Sequence, residues 1–149
     1  MGYDLPELNF PIFEFEIVQD QQGTKIFDRF RKLYVVLTPE EWVRQNMAMY
    51  ITEVLNYPAS LMAIEMGLKV NGLMKRADIV VHNKKGEPWM IVECKSNQIK
   101  RIDDAAHQAS SYSLGLDAKY LVITNGIKHF CYQFQEGAYQ IQKSFPSYE

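Results

Sequence analysis

The stretch that most constrains the fold runs from Lys75 to Lys95. Lys75-Arg76-Ala77-Asp78-Ile79-Val80-Val81-His82 and Pro88-Trp89-Met90-Ile91-Val92-Glu93-Cys94-Lys95 are apolar runs separated by Asn83-Lys84-Lys85-Gly86-Glu87, a polar turn with a glycine. A turn centred between Lys85 and Gly86 pairs Val81 with Met90, Ile79 with Val92 and Asp78 with Glu93 in antiparallel register. Cross-strand partners share a face and neighbours along a strand alternate. Asp78, Glu93 and Lys95 are therefore expected on one side, and Ile79, Val81, Met90, Val92 and Cys94 on the other. Two facing carboxylates repel by roughly 0.2–1 kcal/mol even on an open sheet, and more when desolvated. A divalent cation with a lysine beside it compensates them.

The chemistry follows from these residue types. Asp78, Glu93 and the backbone carbonyl of Cys94 offer hard oxygen ligands suited to Mg²⁺ or Mn²⁺. Such an ion polarises a phosphoryl oxygen and acidifies a bound water, which Lys95 can position. The competing reading is an exposed sheet face of mixed charge, where Glu-x-Lys is common.

Charge is uneven along the chain. Between Lys69 and Arg101 there are eight basic and three acidic residues, a local +5, whereas the whole chain carries −2. Lys75, Arg76, Lys84, Lys85, Lys100 and Arg101 are thus candidate contacts to a nucleic-acid backbone, against the plain reading that polar turns are rich in lysine.

The 149 residues are expected to form one domain with a real core. No apolar run nears the roughly 20 residues that span a bilayer, and residues 1–7 lack a secretory signal pattern. Cys94 and Cys131 have no zinc-site spacing and suit reduced thiols, with a disulfide between them as the alternative, and a cytoplasmic location without membrane attachment is expected.

In chain order, residues 1–11 read as a loosely held lead-in. Phe13–Val18, Lys25–Asp28 and Arg31–Leu37 read as strands. Thr38-Pro39-Glu40-Glu41 opens a helix, with Thr38 as cap, Pro39 at the first position and Glu41 completing a capping box. Trp42, Val43, Met47, Tyr50, Ile51, Val54 and Leu55 continue it at helical spacing. Leu61–Met66 is a strand before the hairpin, and Asp103–Leu114 a second helix carrying small residues. Tyr120–Thr124 is a buried strand, followed by His129–Phe134 and an edge strand at Tyr139–Ile141. The expected architecture is α/β of the α+β kind: a central mixed β-sheet flanked by helices, with an N-terminal β extension over 1–38, a core over 39–134 and an edge strand and tail over 135–149. Gln108 and Tyr112, four apart on the second helix, share a face that can turn toward the acids; the alternative is Tyr112 in the core and Gln108 in solvent. His82, His107 and His129 show no ligand spacing.

Asp78, Glu93-Cys94-Lys95 and Gln108-x-x-x-Tyr112 together resemble the PD-(D/E)xK nuclease superfamily, in its RecB-like branch. Leu37-Thr38-Pro39-Glu40-Glu41-Trp42-Val43-Arg44-Gln45, Arg76–Val81, Ile91–Lys95 and Thr124-Asn125-Gly126 resemble, more narrowly, the N-terminal nuclease domain of type I restriction enzyme R subunits. The resemblance implies a restriction-endonuclease-like fold and Mg²⁺-dependent hydrolysis of DNA. It implies Asp78 and Glu93 as metal ligands, Lys95 beside the nucleophilic water, and Gln108 and Tyr112 supporting the site or touching DNA. An additional helix acid is implied too, with Glu41 the match and Glu53 its rival. Ala77 stands where the superfamily's proline falls, a position whose side chain is not a ligand. No phosphate-binding Gly-x-x-x-x-Gly-Lys-Ser/Thr loop is present, so ATP-driven translocation is not expected of this chain. The expectation is a metal-dependent deoxyribonuclease that acts alone, as a homodimer, or with separately encoded specificity or motor subunits. The alternative is a catalytically weak nucleic-acid-binding or protein-interaction module on the same fold.

Overall fold

The computed structural model describes residues 5–70, 72–104, 106–107 and 118–148. Among the described residues apolar alternation builds nine strands in two sheets. β1 (Ile17–Asp20), β2 (Gly23–Asp28) and β3 (Leu33–Val36) form an antiparallel three-stranded sheet. β4 (Met62–Val70), β5 (Leu73–His82), β6 (Pro88–Cys94), β7 (Tyr120–Thr124), β8 (His129–Gln135) and β9 (Ala138–Gln142) form a second, six-stranded sheet in chain order. β6 and β7 run parallel and all other neighbours antiparallel. A parallel pair needs a crossover, and residues 95–119 supply it, with 102–104 and 106–107 helical. This is the expected mixed sheet with helices and an N-terminal β extension.

α1 (Pro39–Glu53) begins as its sequence dictates: the Thr38 hydroxyl accepts from the Glu41 N–H at 3.0 Å and Pro39 opens the first turn. The reciprocal half of the capping box is not made. The Thr38 N–H donates to the Val36 carbonyl, and the Glu41 carboxylate turns to Arg31, Arg44 and Gln45. Three charge-assisted partners outcompete one backbone donor.

The hairpin takes the expected register, Ile79 opposite Val92 and Val81 opposite Met90, with an irregularity between Val81 and His82. The turn is stapled by Asn83, whose side-chain oxygen accepts from the N–H groups of Lys85 and Glu87. Ile79, Val81, Met90, Val92 and Cys94 pack with Val43, Met47 and Ile51 of α1. The opposite face is buried as well, Val80 and Ile91 meeting Ile102, Ala106, Leu121 and Ile123. Cys94 and Cys131 are both buried free thiols. Among the described residues no helix is long and apolar enough to cross a membrane.

Residues 6–10 of the lead-in are docked rather than loose. The Trp42 indole donates to the Pro6 carbonyl at 2.9 Å, the Asn9 N–H donates to the Gly126 carbonyl at 2.7 Å, and Leu8 and Phe10 pack on the core. Gly126 makes this approach feasible: its φ is +86°, and a Cβ there would lie 2.8 Å from Leu8 Cδ2. Gly126→Ala is therefore expected to cost about 2–3 kcal/mol, from left-handed backbone strain and the clash. Urea unfolding measures it, and a change below about 0.5 kcal/mol would show that the lead-in yields freely.

Candidate functional site

The ladder between β5 and β6 ends at Ile79–Val92, one step short of the acids. Beyond it the Cys94 N–H donates to Asp78 Oδ2 at 2.7 Å instead of to a backbone carbonyl. A carboxylate in that position means that the strands splay, with the Asp78 side chain filling the gap. A residue's N–H and C=O point to the same edge of a strand, so the Cys94 carbonyl faces this gap too. On the other edge of β6 the Lys95 N–H donates to the Thr124 carbonyl at 2.7 Å, which anchors the end of the Glu93-Cys94-Lys95 segment to β7. Glu93 and Lys95 stand half exposed, their charged atoms 3.9 Å apart.

Strict alternation puts Asp78 on the face away from α1, yet its carboxylate meets α1. Asp78 Oδ1 accepts from Arg44 Nη2 at 2.8 Å. The splayed strands let the acid reach a guanidinium that alternation alone would deny it. Arg44 is also paired with Glu41 at 2.8 Å, Glu65 at 2.9 Å and, more distantly, Glu40 at 3.6 Å. Glu65 sits on β4 where the register would place it opposite Asp78, but that pair drops out of the ladder between Ile64–Ile79 and Met66–Ala77. Its φ of +56° accounts for the interruption. Arg31 bonds Asp28, Glu41 and Glu65, and Arg76 bonds Glu65. Leaving aside the exposed Glu40 at its edge, Asp28, Glu41, Glu65 and Asp78 with Arg31, Arg44 and Arg76 thus form one network of net −1 that joins the small sheet, α1, β4 and β5. Near-neutrality and charge-assisted bonds make the burial of these groups tolerable.

The guanidinium groups of Arg31 and Arg44 are held above their ordinary range, because the acids around them outweigh burial. Burial pushes the Asp28 carboxyl up, but the Arg31 and Phe30 N–H groups and the Arg31 guanidinium hold it below the ordinary value. Glu65 behaves alike, with Arg76, Arg44 and Arg31 outweighing burial. Depressed carboxylates contribute stability that is complete above their unfolded values, 3.8 for Asp28 and 4.5 for Glu65, and lost as pH falls through the lower folded values. Melting temperature is therefore expected to fall on acidification below about pH 4.5, with Asp28→Asn flattening that limb. Parallel acid limbs for the two proteins would contradict this. Burial and Asp78 raise the Cys94 thiol well above its usual value, so Cys94 stays protonated and only its backbone is useful to the site.

The expected residues are not all brought together. Asp78, Glu93, Cys94 and Lys95 come together where the ladder ends. Glu41 is one arginine away, both it and Asp78 being bonded to Arg44. Its rival Glu53 is the exposed last residue of α1, about 18 Å along the helix at 1.5 Å per residue. Gln108 and Tyr112 lie outside the described residues. Lys100 and Arg101 are exposed just beyond Lys95, whereas Lys84 and Lys85 are exposed at the hairpin turn, the far end of the strands. Arg76 is exposed and tied to Glu65, and Lys75 is the residue before it on β5. His82 Nδ1 meets the Leu61 carbonyl at 3.1 Å, as suits a strand-end histidine.

Arg44, Glu65, Asp28 and Arg31 were not singled out by sequence pattern. A signal existed for two of them. Arg44 lies on the same helical stripe as Met47, Ala48 and Ile51, all buried, and Glu65 interrupts the apolar run of β4 as Asp78 interrupts that of β5.

The donor set suits a hard cation. Among the described residues each Asp78 oxygen has one donor and keeps a second lone pair, Glu93 is half open, and the Cys94 carbonyl faces the gap. No cluster of three or more side-chain ligands occurs among the described residues.

One solved structure, a fragment of a putative HsdR subunit of a type I restriction enzyme from Vibrio vulnificus YJ016, is 21% identical with a TM-score of 0.53, covering 74% of this chain and 24% of that one. A DrdV–DNA complex matches at 15% identity and a TM-score of 0.49, covering 68% of this chain and 10% of that one. The chain thus spans a quarter or less of these structures' length. No curated protein gives a significant match. The sequence profile described as type I restriction enzyme R protein N terminus (HSDR_N) matches residues 39–146. With the profile covering most of the chain and the fold agreeing, the protein belongs to the family of type I restriction enzyme R protein N termini, a restriction-enzyme-like nuclease domain.

Proposed function

We propose that this domain hydrolyses DNA phosphodiester bonds with Mg²⁺, or Mn²⁺, held by Asp78, Glu93 and the Cys94 carbonyl. The observation that carries the reading is the 2.7 Å bond from the Cys94 N–H to Asp78. It fixes the β5 acid against the Glu-x-Lys segment where the sheet opens. Bound there, the cation would supply Lewis-acid polarisation and a water of lowered pKa. Lys95 orients the attacking water and stabilises charge developing on the phosphoryl group. Glu93 receives the half of the site that faces solvent. Arg44 fixes Asp78 from behind, a positioning role rather than contact with substrate. Lys100 and Arg101, exposed beyond Lys95, offer charge to the DNA backbone. Gln108 and Tyr112 keep their proposed supporting role. Specificity and motor functions come from elsewhere, in a longer chain or in separate subunits.

A second reading is favoured by one contact. Arg44 already neutralises Asp78, as in a module that has kept the fold and binds without turnover. Plasmid DNA incubated with the protein and Mg²⁺, beside an EDTA control, separates the two. Metal-dependent nicking or linearisation supports hydrolysis. Salt-sensitive DNA binding with no cleavage supports the binding module.

A further inference from the structure

At the hairpin turn, away from the acids, the sheet opens onto a cavity of about 670 Å³. This is the size of a small-molecule site. The rings of Trp89, Tyr120 and Tyr148 and the ammonium groups of Lys84, Lys85 and Lys119 line it. They come from the hairpin, the start of β7 and the C-terminal tail. The tail is pinned in place, since the Tyr148 N–H donates to the Leu55 carbonyl at 2.9 Å and the Tyr57 hydroxyl donates to the Pro146 carbonyl at 2.8 Å. The Trp89 indole in turn donates to the Tyr57 hydroxyl at 3.3 Å. Edge-on pairs, Tyr57 with Tyr148 at 5.5 Å and Trp89 with Tyr120 at 5.4 Å, fix the ring orientations.

Trp89, Tyr120 and Tyr148 each have a lysine over the ring, Lys119 Nζ also lying 5.9 Å from the Tyr120 centroid. Lys119 Nζ lies 5.0 Å from the Trp89 centroid, and Lys84 Nζ lies 5.5 Å from that of Tyr148. Glu87 is the one acid among the described lining residues, and its carboxylate accepts from the Asn83 amide at 3.1 Å. Three lysines against one glutamate leave the cavity with a net +2. A flexible lysine on an aromatic face is a replaceable cover, because a flat ligand can take the face while the freed ammonium pairs with an anion. An apolar ligand would leave the three exposed lysines unused, and a bare anion would make no use of the rings.

We propose that this cavity binds a nucleotide, its base stacked on Trp89 or Tyr148 and its phosphate held by Lys84, Lys85 and Lys119. The site is separate from the acids. His82 and Trp89 are each four residues from Asp78 and Glu93 along their strands, about 13 Å at about 3.3 Å per residue. The nucleotide can come from a free mononucleotide or from a single strand of nucleic acid, and both present the same base and phosphate. The proposal is read by binding without cleavage, so it stands or fails apart from the nuclease reading.

The full chain is titrated in EDTA with adenosine monophosphate, with inorganic phosphate and with a single-stranded oligothymidylate, by calorimetry and tryptophan fluorescence. Saturable binding of the mononucleotide or the oligonucleotide is expected, with inorganic phosphate at least about tenfold weaker and a fluorescence change that Trp89→Phe removes. Combined Lys84→Gln and Lys119→Gln substitutions, both at exposed positions, should weaken nucleotide binding by about tenfold with melting temperature unchanged. Tighter binding of the mononucleotide marks a free ligand, and tighter binding of the oligonucleotide marks a strand. Absence of saturable binding by either, equal affinity for inorganic phosphate, or full affinity in the lysine variant would overturn the proposal.

Discussion

Asp78→Asn is expected to lower Mg²⁺-dependent cleavage by about 10³-fold or more while the domain stays folded. Asparagine has the same shape, and its side-chain oxygen can still accept from the Cys94 N–H, so the gap between the splayed strands stays filled. What it loses is the anionic oxygen that holds a hard cation, and with it several kcal/mol of charge stabilisation in the transition state. Arg44 keeps Glu41 and Glu65 as partners at 2.8 and 2.9 Å, so its own burial remains compensated. Lys95→Ala should cost about 10²–10³-fold, the scale of removing one donor aimed at developing charge. Initial rates of plasmid nicking, with circular dichroism melts as the folding control, measure both. Either variant retaining a tenth of the wild-type rate would remove these residues from the proposed chemistry.

Arg44→Leu is expected to have the largest effect on stability, a loss of about 3–5 kcal/mol. Leucine fits a helix stripe that already holds Met47, Ala48 and Ile51, so shape is not the reason. The cost arises because Asp78, Glu41 and Glu65 lose their shared counter-ion while staying partly or wholly out of water. For a chain of 149 residues the loss corresponds to a melting temperature lower by about 10 °C. Adding Asp78→Asn removes one stranded charge, so the double variant should lose less than the sum of the two single changes, with a coupling of about 0.5–3 kcal/mol. Urea unfolding of the four proteins completes the cycle. A cost below about 1 kcal/mol for Arg44→Leu, or strict additivity, would mean that solvent and Arg31 already carry these acids.

The hairpin was legible because its information is local. Alternation fixes which residues share a face, and the polar turn fixes the register, so Ile79 opposite Val92 followed from spacing alone. The start of α1 was legible for the same reason, since Thr38 and Pro39 act within one turn. The arginine network was not. Arg44 meets Glu65 and Asp78 across 21 and 34 residues, and nothing in the spacing says which buried charge will find which partner. Glu41 shows the difference well. Its capping role reads directly from Thr38-x-x-Glu41, yet the folded chain gives its carboxylate to Arg31, Arg44 and Gln45. The docked lead-in was hidden likewise, because the seat for Leu8 is made by Gly126, far away in the sequence. Two carboxylates in awkward strand positions pointed to a site, and what lies behind them had to be seen in three dimensions.

Asp78 and Glu93 are proposed to hold a divalent cation together, and Mn²⁺ binding followed by electron paramagnetic resonance reads this without any cleavage step. The wild-type protein should take up Mn²⁺ saturably and yield it to Mg²⁺, while Asp78→Asn and Glu93→Gln should each weaken that uptake by tenfold or more, about 1.4 kcal/mol. Equal Mn²⁺ binding by the wild-type protein and both variants would contradict the account.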